Sequence, residues 1–431
     1  MPETKKILLD APRSASPASL WDPIARAFAT IIQQSRPGFA IGIFGSWGSG
    51  KTTLMTAIKN SLPRAGIITV DFNAWRFQNE PVLLIPLLDS IRASILAQAE
   101  PTAGQSSQLS EVAHRLGRVV RALATGLSGS VGIPGAITVN YDAGLAIAAW
   151  QSIAADDPAK PQSLYVAAFE ELRESFADLE ATGISRTVVF VDDLDRCLPA
   201  QALSALESMK MFFDLPGFIF VVGLDEEIID RALRAKFAGP GHEVPSAEDG
   251  RAESSAGRLG RDYSKRIFQV PYSMPVIHAE HLDNLLESIY AEAQLEQEQI
   301  SDVRERVRRH LDLIVVHREV IPKKIKRFIN GYILQTLIHP DLDRDALLAL
   351  QVIAFRDDWE GAYNAINTRP DIFLAALRRY RDGDRAALQD VLPGLQLIPA
   401  DLSIYLNSDL VDPLTQLESL DSYLSCMRSA H

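Results

Sequence analysis

Eight consecutive residues near the start of the sequence have the types and spacing that bind phosphate groups. They are Gly45, Ser46, Trp47, Gly48, Ser49, Gly50, Lys51 and Thr52, and Thr53 follows them. They match the Walker A pattern G-x-x-x-x-G-K-[ST], in which glycines let backbone N–H groups turn towards phosphate oxygens. The lysine of this pattern reaches the β- and γ-phosphates, and its last hydroxyl is a ligand for Mg²⁺. The segment, with Thr53 included, predicts a nucleotide-phosphate site in which Lys51 also acts in catalysis.

A second chemical element is the apolar run Thr187 to Val191, which ends in two adjacent carboxylates, Asp192 and Asp193. Phosphate-loop enzymes use a carboxylate at the end of a neighbouring strand, the Walker B element, to hold the magnesium shell. We predict that Asp192 organises the metal and that Asp193 polarises an attacking water. A strand followed by an acidic turn is the alternative. For Asp195 and Arg196, an ion pair that caps the next helix and a nucleotide contact are equally good explanations.

The segments around these motifs alternate between strand-like and helix-like patterns. Phe39 to Phe44 is a short apolar run before the glycines, and Thr52 to Leu62 carries apolar residues at helical spacing. Further short apolar runs lie at Gly66 to Phe72, Thr187 to Val191, Gly217 to Gly223 and Ile267 to Pro271. Such alternation is typical of βαβ units. We predict an α/β fold: a three-layer P-loop NTPase core with a mostly parallel sheet, a helical insertion and an all-α C-terminal lid and extension.

Changes of pattern along the chain suggest its division into domains. The core is predicted at 1–80 and 184–276, the insertion at 81–183, a helical lid at 277–340 and a helical extension at 341–431. Helix-like stretches run from Val82 to Ala99, Leu164 to Leu179, Ala279 to Gln294, Ser301 to Val315, Lys323 to Leu337 and Asp343 to Phe355. Residues 239–262 are rich in small and charged types without apolar periodicity, so we expect a mobile loop there.

Composition excludes several classes of protein. The chain has 431 residues, 47% hydrophobic and 23% charged, which is ordinary for a folded protein of more than one domain. Its formal net charge of -12 opposes sequence-independent attraction to nucleic-acid phosphates. Cys197 and Cys426 are far apart and fit neither a disulfide framework nor a zinc site. The first residues lack the apolar run of a secretory signal, so we expect a cytoplasmic location.

Four separated motifs point to one family. They are FGSWGSGKTTL around the glycines, FNAWRF at Phe72 to Phe77, FVDDLDRC around the acidic pair and YSKRIFQVPYSMP at Tyr263 to Pro275. Over Leu9 to Gly331 the chain resembles the KAP P-loop NTPases, named for a neuronal ankyrin-repeat scaffold protein and a plasmid-encoded phage-exclusion protein. The resemblance implies Mg²⁺-dependent hydrolysis of ATP, with slow, switch-like turnover linked to assembly, in a role such as phage defence.

Many members of that family carry transmembrane helices inside the insertion. The best candidate in this sequence is Leu123 to Tyr141, which is uncharged but rich in glycine and in small or polar residues. We therefore predict a loop or hairpin there and no membrane span.

The FNAWRF motif holds two polar candidates for the site. Asn73 and Arg76 follow the strand that we expect beside the phosphate loop. They either position water or the γ-phosphate, or they serve the fold alone. We expect Phe72 and Trp75 to pack at the edge of the sheet.

The resemblance suggests three further nucleotide contacts. Asp225 follows a strand where related ATPases keep a polar sensor, and a helix N-cap is the alternative. Lys265 and Arg266 precede the last core strand, the position from which AAA-type ATPases send an arginine finger into a neighbouring subunit; an exposed helix-end cation is the alternative. Lys323 corresponds to a second sensor in the family's lid motif, from which this chain departs at Ile321 and at Lys323 itself. A solvated basic helix face explains it equally.

Several partners and rival functions follow from the same residues. ATP is favoured over GTP because no N-K-x-D element is present, and a homo-oligomer or a partner protein is expected. The densest positive region is Arg304, Arg306, Arg308, Arg309, Lys323, Lys324, Lys326 and Arg327. It is either a solvated helix face or a surface for nucleic acid or an acidic partner. The rival functions are a nucleotide-gated scaffold without hydrolysis, a phosphotransferase and an AAA-type nucleic-acid motor.

Overall fold

The architecture was analysed in a computed structural model. It describes residues 21–80, 83–99, 106–125, 127–130, 138–141, 164–210, 217–237, 265–275, 277–278, 282–293, 297–314, 319–389 and 399–430, and the single positions 212, 215, 263 and 391. The chain divides into an N-terminal unit that ends at Met274 and a C-terminal unit that begins at Pro275. The two units are described separately below.

In its described part the N-terminal unit contains seven strands, seven helices and a helical turn at 265–267. The strands are β1 (Phe39–Phe44), β2 (Ile67–Asn73), β3 (Leu127–Ser130), β4 (Thr138–Tyr141), β5 (Arg186–Asp192), β6 (Phe218–Leu224) and β7 (Val270–Ser273). The helices are α1 (Asp22–Gln34), α2 (Lys51–Ser61), α3 (Leu84–Ala99), α4 (Ser106–Thr125), α5 (Leu164–Ala181), α6 (Pro199–Lys210) and α7 (Glu226–Phe237). Single 3₁₀ turns lie at Trp75–Phe77 and Leu194–Arg196. The predicted α/β fold class is confirmed.

Five parallel strands form the central sheet, in the order β2-β5-β6-β1-β7. All residues of β1 and β6 are buried, so both faces of these strands are covered. For this reason the sequences of β1 and β6 are continuous apolar runs and do not alternate between apolar and polar residues. Because the strands are parallel, their carboxyl ends meet at one edge of the sheet, and the predicted site residues follow those ends.

The strand order corrects two predictions. The acidic strand β5 was expected next to the phosphate-loop strand β1, but β6 lies between them. β2 was expected beside β1, but it is the edge strand and pairs only with β5 in the described sheet. The reason is that a long crossover between parallel strands does not fix how many positions it skips; packing of the sheet decides the order.

Most strands and helices that were predicted individually in the N-terminal unit lie close to their predicted positions. β7 starts at Val270, three residues after the predicted Ile267, which is in a helical turn instead. Helices α1 and α4 were not predicted as individual elements. Helix α4 lies in the insertion that was predicted to be helical, and its buried Leu109, Val112, Leu116 and Val119 follow helical spacing. The stretch predicted as a loop or hairpin begins with the last residues of α4, and β3 then pairs with β4 as an antiparallel hairpin.

No helix in the described part of the chain combines the length and the apolar character that a membrane crossing requires. The predicted mobile loop at 239–262 falls outside the described residues.

The C-terminal unit is almost entirely helical where it is described. Its helices are α8 (Leu282–Ala293), α9 (Gln297–Asp302), α10 (Arg308–Ile314), α11 (Pro322–Ile338), α12 (Arg344–Phe355), α13 (Glu360–Thr368), α14 (Pro370–Arg381), α15 (Ala400–Leu406), α16 (Asp412–Thr415) and α17 (Asp421–Ala430). A π-helical turn at Val303–Val307 splits the segment predicted as one helix from Ser301 to Val315, and 3₁₀ turns cover Asp357–Trp359 and Asp409–Val411. A two-residue pair, β8 (Ile277–His278) and β9 (Glu319–Val320), departs from the all-α prediction.

Most of the basic region noted in the sequence is neutralised within the C-terminal unit. Arg304 pairs with Glu287 at 2.6 Å, and Arg309 pairs with Asp409 at 2.7 Å. Arg306 pairs with Asp302 and Asp345, Arg308 with Asp283 and Asp312, and Lys324 with Asp357. These contacts favour the interpretation as a solvated, ion-paired helix face over a nucleic-acid surface.

Buried His310 is expected to make the stability of the C-terminal unit depend on pH. Its side chain is only 3% exposed, and Tyr405 Oη lies 3.4 Å from its Nδ1. Burial, and to a smaller extent the charge of Arg309, lower the pKa of His310 to about 4, although Asp345 and Asp409 oppose the shift. Between pH 6.5 and about 4, the unfolded chain binds a proton at this position that the folded chain does not.

The free energy of unfolding should therefore fall as the pH falls through this window, by about 1.4 kcal/mol per pH unit from this group. Denaturant unfolding from pH 7 to pH 4 measures the slope, which His310→Gln should reduce. The same substitution at His114, an exposed side chain of α4, serves as the control for the loss of a histidine. Equal slopes for the parent and His310→Gln would contradict the prediction.

Candidate nucleotide site

The carboxyl edge of the sheet in the N-terminal unit gathers most of the predicted site residues; Arg266 and Lys323 are not among them. The phosphate loop connects β1 to α2, and Gly45 N donates a hydrogen bond to Leu224 O at the end of β6 (3.2 Å). On the other side, Met274 N donates to Phe44 O (2.7 Å). At the far end of the sheet, Ala74 N donates to Asp192 O (3.0 Å). The ends of β1, β2, β5, β6 and β7 are thus joined along one edge.

Glycines are required in the phosphate loop for two different reasons. Gly48 and Gly50 have φ angles of 85° and 101°, in the left-handed region that other residues rarely adopt. At Gly45, a Cβ atom would lie 2.6 Å from Ser49 Oγ and 3.0 Å from Met274 Cγ, which leaves no room for a side chain. Met274 and Trp21 would lie 3.7 Å from a Cβ atom at Gly50, and neither was singled out in the sequence.

The loop has the features of an anion site. Helix α2 begins at Lys51 with Gly50 as its N-cap, and no side chain caps its free N–H groups. The N-terminus of a helix favours negative charge, through these groups and its dipole. Ser49 Oγ is buried and has no hydrogen-bond partner within the described structure. These groups fit the phosphates of a nucleotide.

Lys51 is buried at the first turn of α2. Its Nζ atom donates hydrogen bonds to Gly45 O (2.9 Å) and Ser46 O (3.2 Å). The same atom lies 2.7 Å from Asp195 Oδ2 in an ion pair. Asp195 was left open in the sequence as a helix-end ion pair or a nucleotide contact, and the structure places it against the lysine of the phosphate loop.

Thr52 and Asp192 lie together, as expected for residues that share a metal shell. The Thr52 hydroxyl is hydrogen-bonded to the Asp192 carboxylate, and Asp193 N donates to Asp192 Oδ1 (2.9 Å). Burial raises the pKa of Asp192, and these hydrogen bonds act in the opposite direction. Gly223 of β6 provides the space, because a Cβ atom there would lie 2.9 Å from Met55 Sδ and 3.5 Å from Asp192 Oδ1.

These two oxygen ligands fit Mg²⁺. Magnesium is usually held by one or two protein oxygens, with phosphate oxygens and water as its remaining ligands. No group of three or more His, Cys, Asp or Glu side chains in the described ranges could hold a metal ion alone. A metal at Thr52 and Asp192 would therefore depend on the phosphates.

Asp193 is held in an unusual conformation beside Asp192. Its φ angle is 56°, the only positive value among the described non-glycine residues. Asn73 Nδ2 donates to Asp193 Oδ2 (2.6 Å), and Arg196 Nε pairs with Asp193 Oδ1 (2.8 Å). Such backbone strain persists only where the surroundings over-determine it, and it is common at functional sites.

The FNAWRF motif differs partly from its predicted packing. Phe72 is buried and stacks on Phe77, with ring centroids 5.3 Å apart, as a residue of the sheet edge should. Trp75 was expected to pack as well, but it is 46% exposed, and the Arg196 guanidinium lies 5.6 Å from its ring centroid. The 3₁₀ turn at Trp75–Phe77 directs the tryptophan away from the core. Arg76 is exposed, and its backbone N donates to Asn73 Oδ1 (3.0 Å).

The other residues that were predicted to contact the nucleotide lie as follows. Trp47 is 51% exposed on the loop. Asp225 Oδ1 accepts a hydrogen bond from Glu227 N (3.0 Å), which is the N-cap geometry considered as its alternative role. Arg266 is exposed in the turn before β7, and Lys265 lies beside it. Lys323 lies in the first turn of α11, in the C-terminal unit. The nucleotide roles of these residues stay predictions.

A parallel sheet with a glycine-rich loop between its first strand and helix, and a buried lysine at the start of that helix, defines the class of P-loop NTPases. Comparison with family models identifies the group within this class. The chain matches the KAP family P-loop domain over residues 21–334, and it belongs to that family. Nucleotide binding is therefore the general function of its N-terminal unit.

Solved structures with a related arrangement are distant. The Aeropyrum pernix Orc1 protein in complex with DNA is 13% identical, with a TM-score of 0.38, over 94% of this chain and 86% of that one. Drosophila ORC bound to DNA is 15% identical, with a TM-score of 0.28, over 91% of this chain and 67% of that one. Because both TM-scores are below 0.5, these similarities support no argument about function. No curated protein sequence matches the chain.

Proposed function

We propose that the protein is a Mg²⁺-dependent ATPase that hydrolyses ATP to ADP and phosphate as a slow switch linked to assembly. The observation that carries this proposal is the position of Asp193. Its carboxylate is oriented by Asn73, at 2.6 Å, next to the pair formed by Thr52 and Asp192. A carboxylate oriented beside a metal-binding pair suits the activation of water better than nucleotide binding alone.

Each residue of the site has a role in the proposed reaction. The N–H groups of the phosphate loop and the Lys51 ammonium bind the β- and γ-phosphates. Thr52 and Asp192 would hold Mg²⁺, which would neutralise charge on the phosphate oxygens. Asp193 accepts a hydrogen bond from the attacking water, whose oxygen forms a bond to the γ-phosphorus as the bond to the ADP oxygen breaks. The proton that this water loses passes by way of the Asp193 carboxylate to the phosphate product. Arg266 acts in trans and Asp225 senses the γ-phosphate, and the family resemblance implies a sensor role for Lys323.

The proposal also includes the nucleotide base that is bound, the partner of the protein and its location. ATP is proposed because the sequence lacks an N-K-x-D element for guanine. A homo-oligomer is proposed because Arg266 is exposed and needs a neighbouring site to act as a finger. A cytoplasmic location and a role in phage defence rest on the sequence and on the family resemblance. Nucleic acid is not favoured, because carboxylates of the C-terminal unit pair with most of its clustered basic residues.

Phosphate release by the purified protein tests the proposal. We expect release from ATP with Mg²⁺, below about one turnover per second, and its loss when EDTA removes the metal. GTP should be hydrolysed more slowly than ATP. Sedimentation with and without ATP should show a larger species with ATP. Titration of the same samples with ATP measures the dissociation constant, so that binding and turnover are determined separately.

One observation supports a second candidate, the nucleotide-gated scaffold. Each oxygen of Asp193 already has one partner, Asn73 at Oδ2 and Arg196 at Oδ1, so fewer acceptor positions of the carboxylate remain for a water. If Arg196 stays in place when ATP binds, the protein binds nucleotide and does not hydrolyse it. Tight ATP binding without phosphate release, in any oligomeric state, would establish the scaffold and exclude the ATPase.

A further inference from the structure

The lysine of the phosphate loop is already engaged by the protein itself. Lys51 Nζ donates to two loop carbonyls, Gly45 O and Ser46 O, and it forms an ion pair with Asp195 Oδ2 at 2.7 Å. The side chains of Lys51 and Asp195 are 7% and 8% exposed. A phosphate group therefore cannot gain the full interaction with this ammonium group unless one of its present partners moves.

Asp195 is the partner that is least well satisfied. Its Oδ2 atom is buried and, within the described part of the chain, has no hydrogen-bond partner, although Lys51 Nζ is close. The two groups are thus paired by charge, without the geometry of a hydrogen bond. A buried carboxylate normally needs both a counter-charge and hydrogen bonds to offset its lost hydration. The lost hydration of the carboxylate offsets most of what the ion pair adds to the stability of the fold. The attraction between the carboxylate and the Lys51 ammonium remains, and a phosphate group must compete with it.

The local backbone explains why Asp195 faces the phosphate loop. The positive φ of Asp193 turns the chain sharply after β5, and the 3₁₀ turn Leu194–Arg196 follows. Within this turn Leu194 is buried, Asp195 contacts Lys51, and Arg196 contacts Asp193. One turn therefore neutralises two groups of the site, the binding lysine and the carboxylate proposed to activate water.

We propose that Asp195 is a positioning residue that holds the Lys51 ammonium in the nucleotide-free protein and competes with nucleotide phosphates for it. The affinity for nucleoside di- and triphosphates is then set by this competition. The proposal rests on nucleotide binding at the phosphate loop, as proposed above, and does not depend on hydrolysis. Removing the charge of Asp195 should free the lysine, remove a negative charge close to the phosphates and tighten nucleotide binding.

Calorimetric titration of Asp195→Asn with ADP and with a non-hydrolysable ATP analogue tests this competition. Asparagine has nearly the same size as aspartate and removes only the charge. We expect the dissociation constant for both nucleotides to fall by about tenfold, since two unit charges a few ångströms apart interact strongly near a protein surface. If the Asp195→Asn protein folds poorly, Asp195→Ser is the second variant.

Asp71→Asn is the matched control. Asp71 pairs with Lys59, the other lysine of helix α2, and its side chain is 69% exposed, so the same change of charge occurs away from the phosphate loop. Its dissociation constants should match those of the parent. Thermal unfolding provides a second readout: Asp195→Asn should unfold at a lower temperature than the parent without nucleotide, and this difference should shrink at saturating ADP.

The outcomes separate this inference from the proposed function. Tighter binding by Asp195→Asn, with Asp71→Asn unchanged, supports the competition. Unchanged or weaker binding by a folded Asp195→Asn overturns it, and weaker binding would mean that Asp195 preorganises the lysine instead. If the parent protein binds no nucleotide, the proposed function has failed and the inference fails with it.

Discussion

Asp193→Asn is expected to slow phosphate release from ATP by about 100-fold to 10,000-fold while changing ATP affinity by less than about threefold. An asparagine side chain has the same shape and can still accept the hydrogen bond from Asn73 Nδ2, which lies 2.6 Å from Asp193 Oδ2. Its amide nitrogen then faces Arg196, whose ion pair with Asp193 is lost. An amide, however, polarises water far less than a carboxylate does. The loss should therefore fall on the chemical step. Single-turnover phosphate release and calorimetric titration of ATP measure the two quantities separately.

A carboxylate outside the site provides the control for this substitution. Asp89 on α3 is 52% exposed and pairs with Arg92, so Asp89→Asn removes the same charge far from the chemistry. Its rate should equal that of the parent. If Asp193→Asn released phosphate at the parental rate, Asp193 would not be the residue that activates water. If instead it lost ATP binding, its role would be in binding.

Lys51→Ala is expected to have the second large effect, on affinity and on stability together. The substitution removes a charged donor to the phosphates, which should weaken ATP binding by about 100-fold. It also leaves the buried Asp195 carboxylate without its counter-charge, 2.7 Å from the lost ammonium. Breaking a buried ion pair in this way costs about 3 kcal/mol or more in the free energy of unfolding. Calorimetry and denaturant unfolding measure the two effects.

Lys59→Ala tests whether these effects belong to the site. Lys59 lies on the same helix, but its side chain is 33% exposed and its partner Asp71 is on the surface, so both changes should be small. The double substitution Lys51→Ala with Asp195→Asn should recover most of the lost stability but not the lost affinity. A stable Lys51→Ala protein with parental ATP affinity would show that the loop does not bind phosphate through this residue.

The sequence predicted best the features that depend on neighbouring residues. The phosphate loop lies within one short segment, and its glycines and helix start are local properties of that segment. The apolar runs of β1 and β6 were found because strands buried on both faces carry no polar residues. The fold class and the family followed from such segments, and both are confirmed.

Features that join distant segments were predicted less well. The order β2-β5-β6-β1-β7 differs from the expected neighbours of β1, because a crossover connection does not specify how many strands it passes. Trp75 was expected to pack at the edge of the sheet, yet the local 3₁₀ turn leaves it 46% exposed near Arg196. Helix α4 lies in the insertion that was predicted to be helical, but its bounds were not predicted.

The sequence by itself determined that this chain has a phosphate loop, an acidic strand end and the alternating elements that carry them, because each is encoded in a few consecutive residues. Only the tertiary structure decided which charged groups meet. Asn73 contacts Asp193 across 120 positions of sequence, and Lys51 pairs with Asp195 although β6 separates their strands. Contacts of this kind depend on strand order and on the turn after β5, which are set by the packing of the whole sheet.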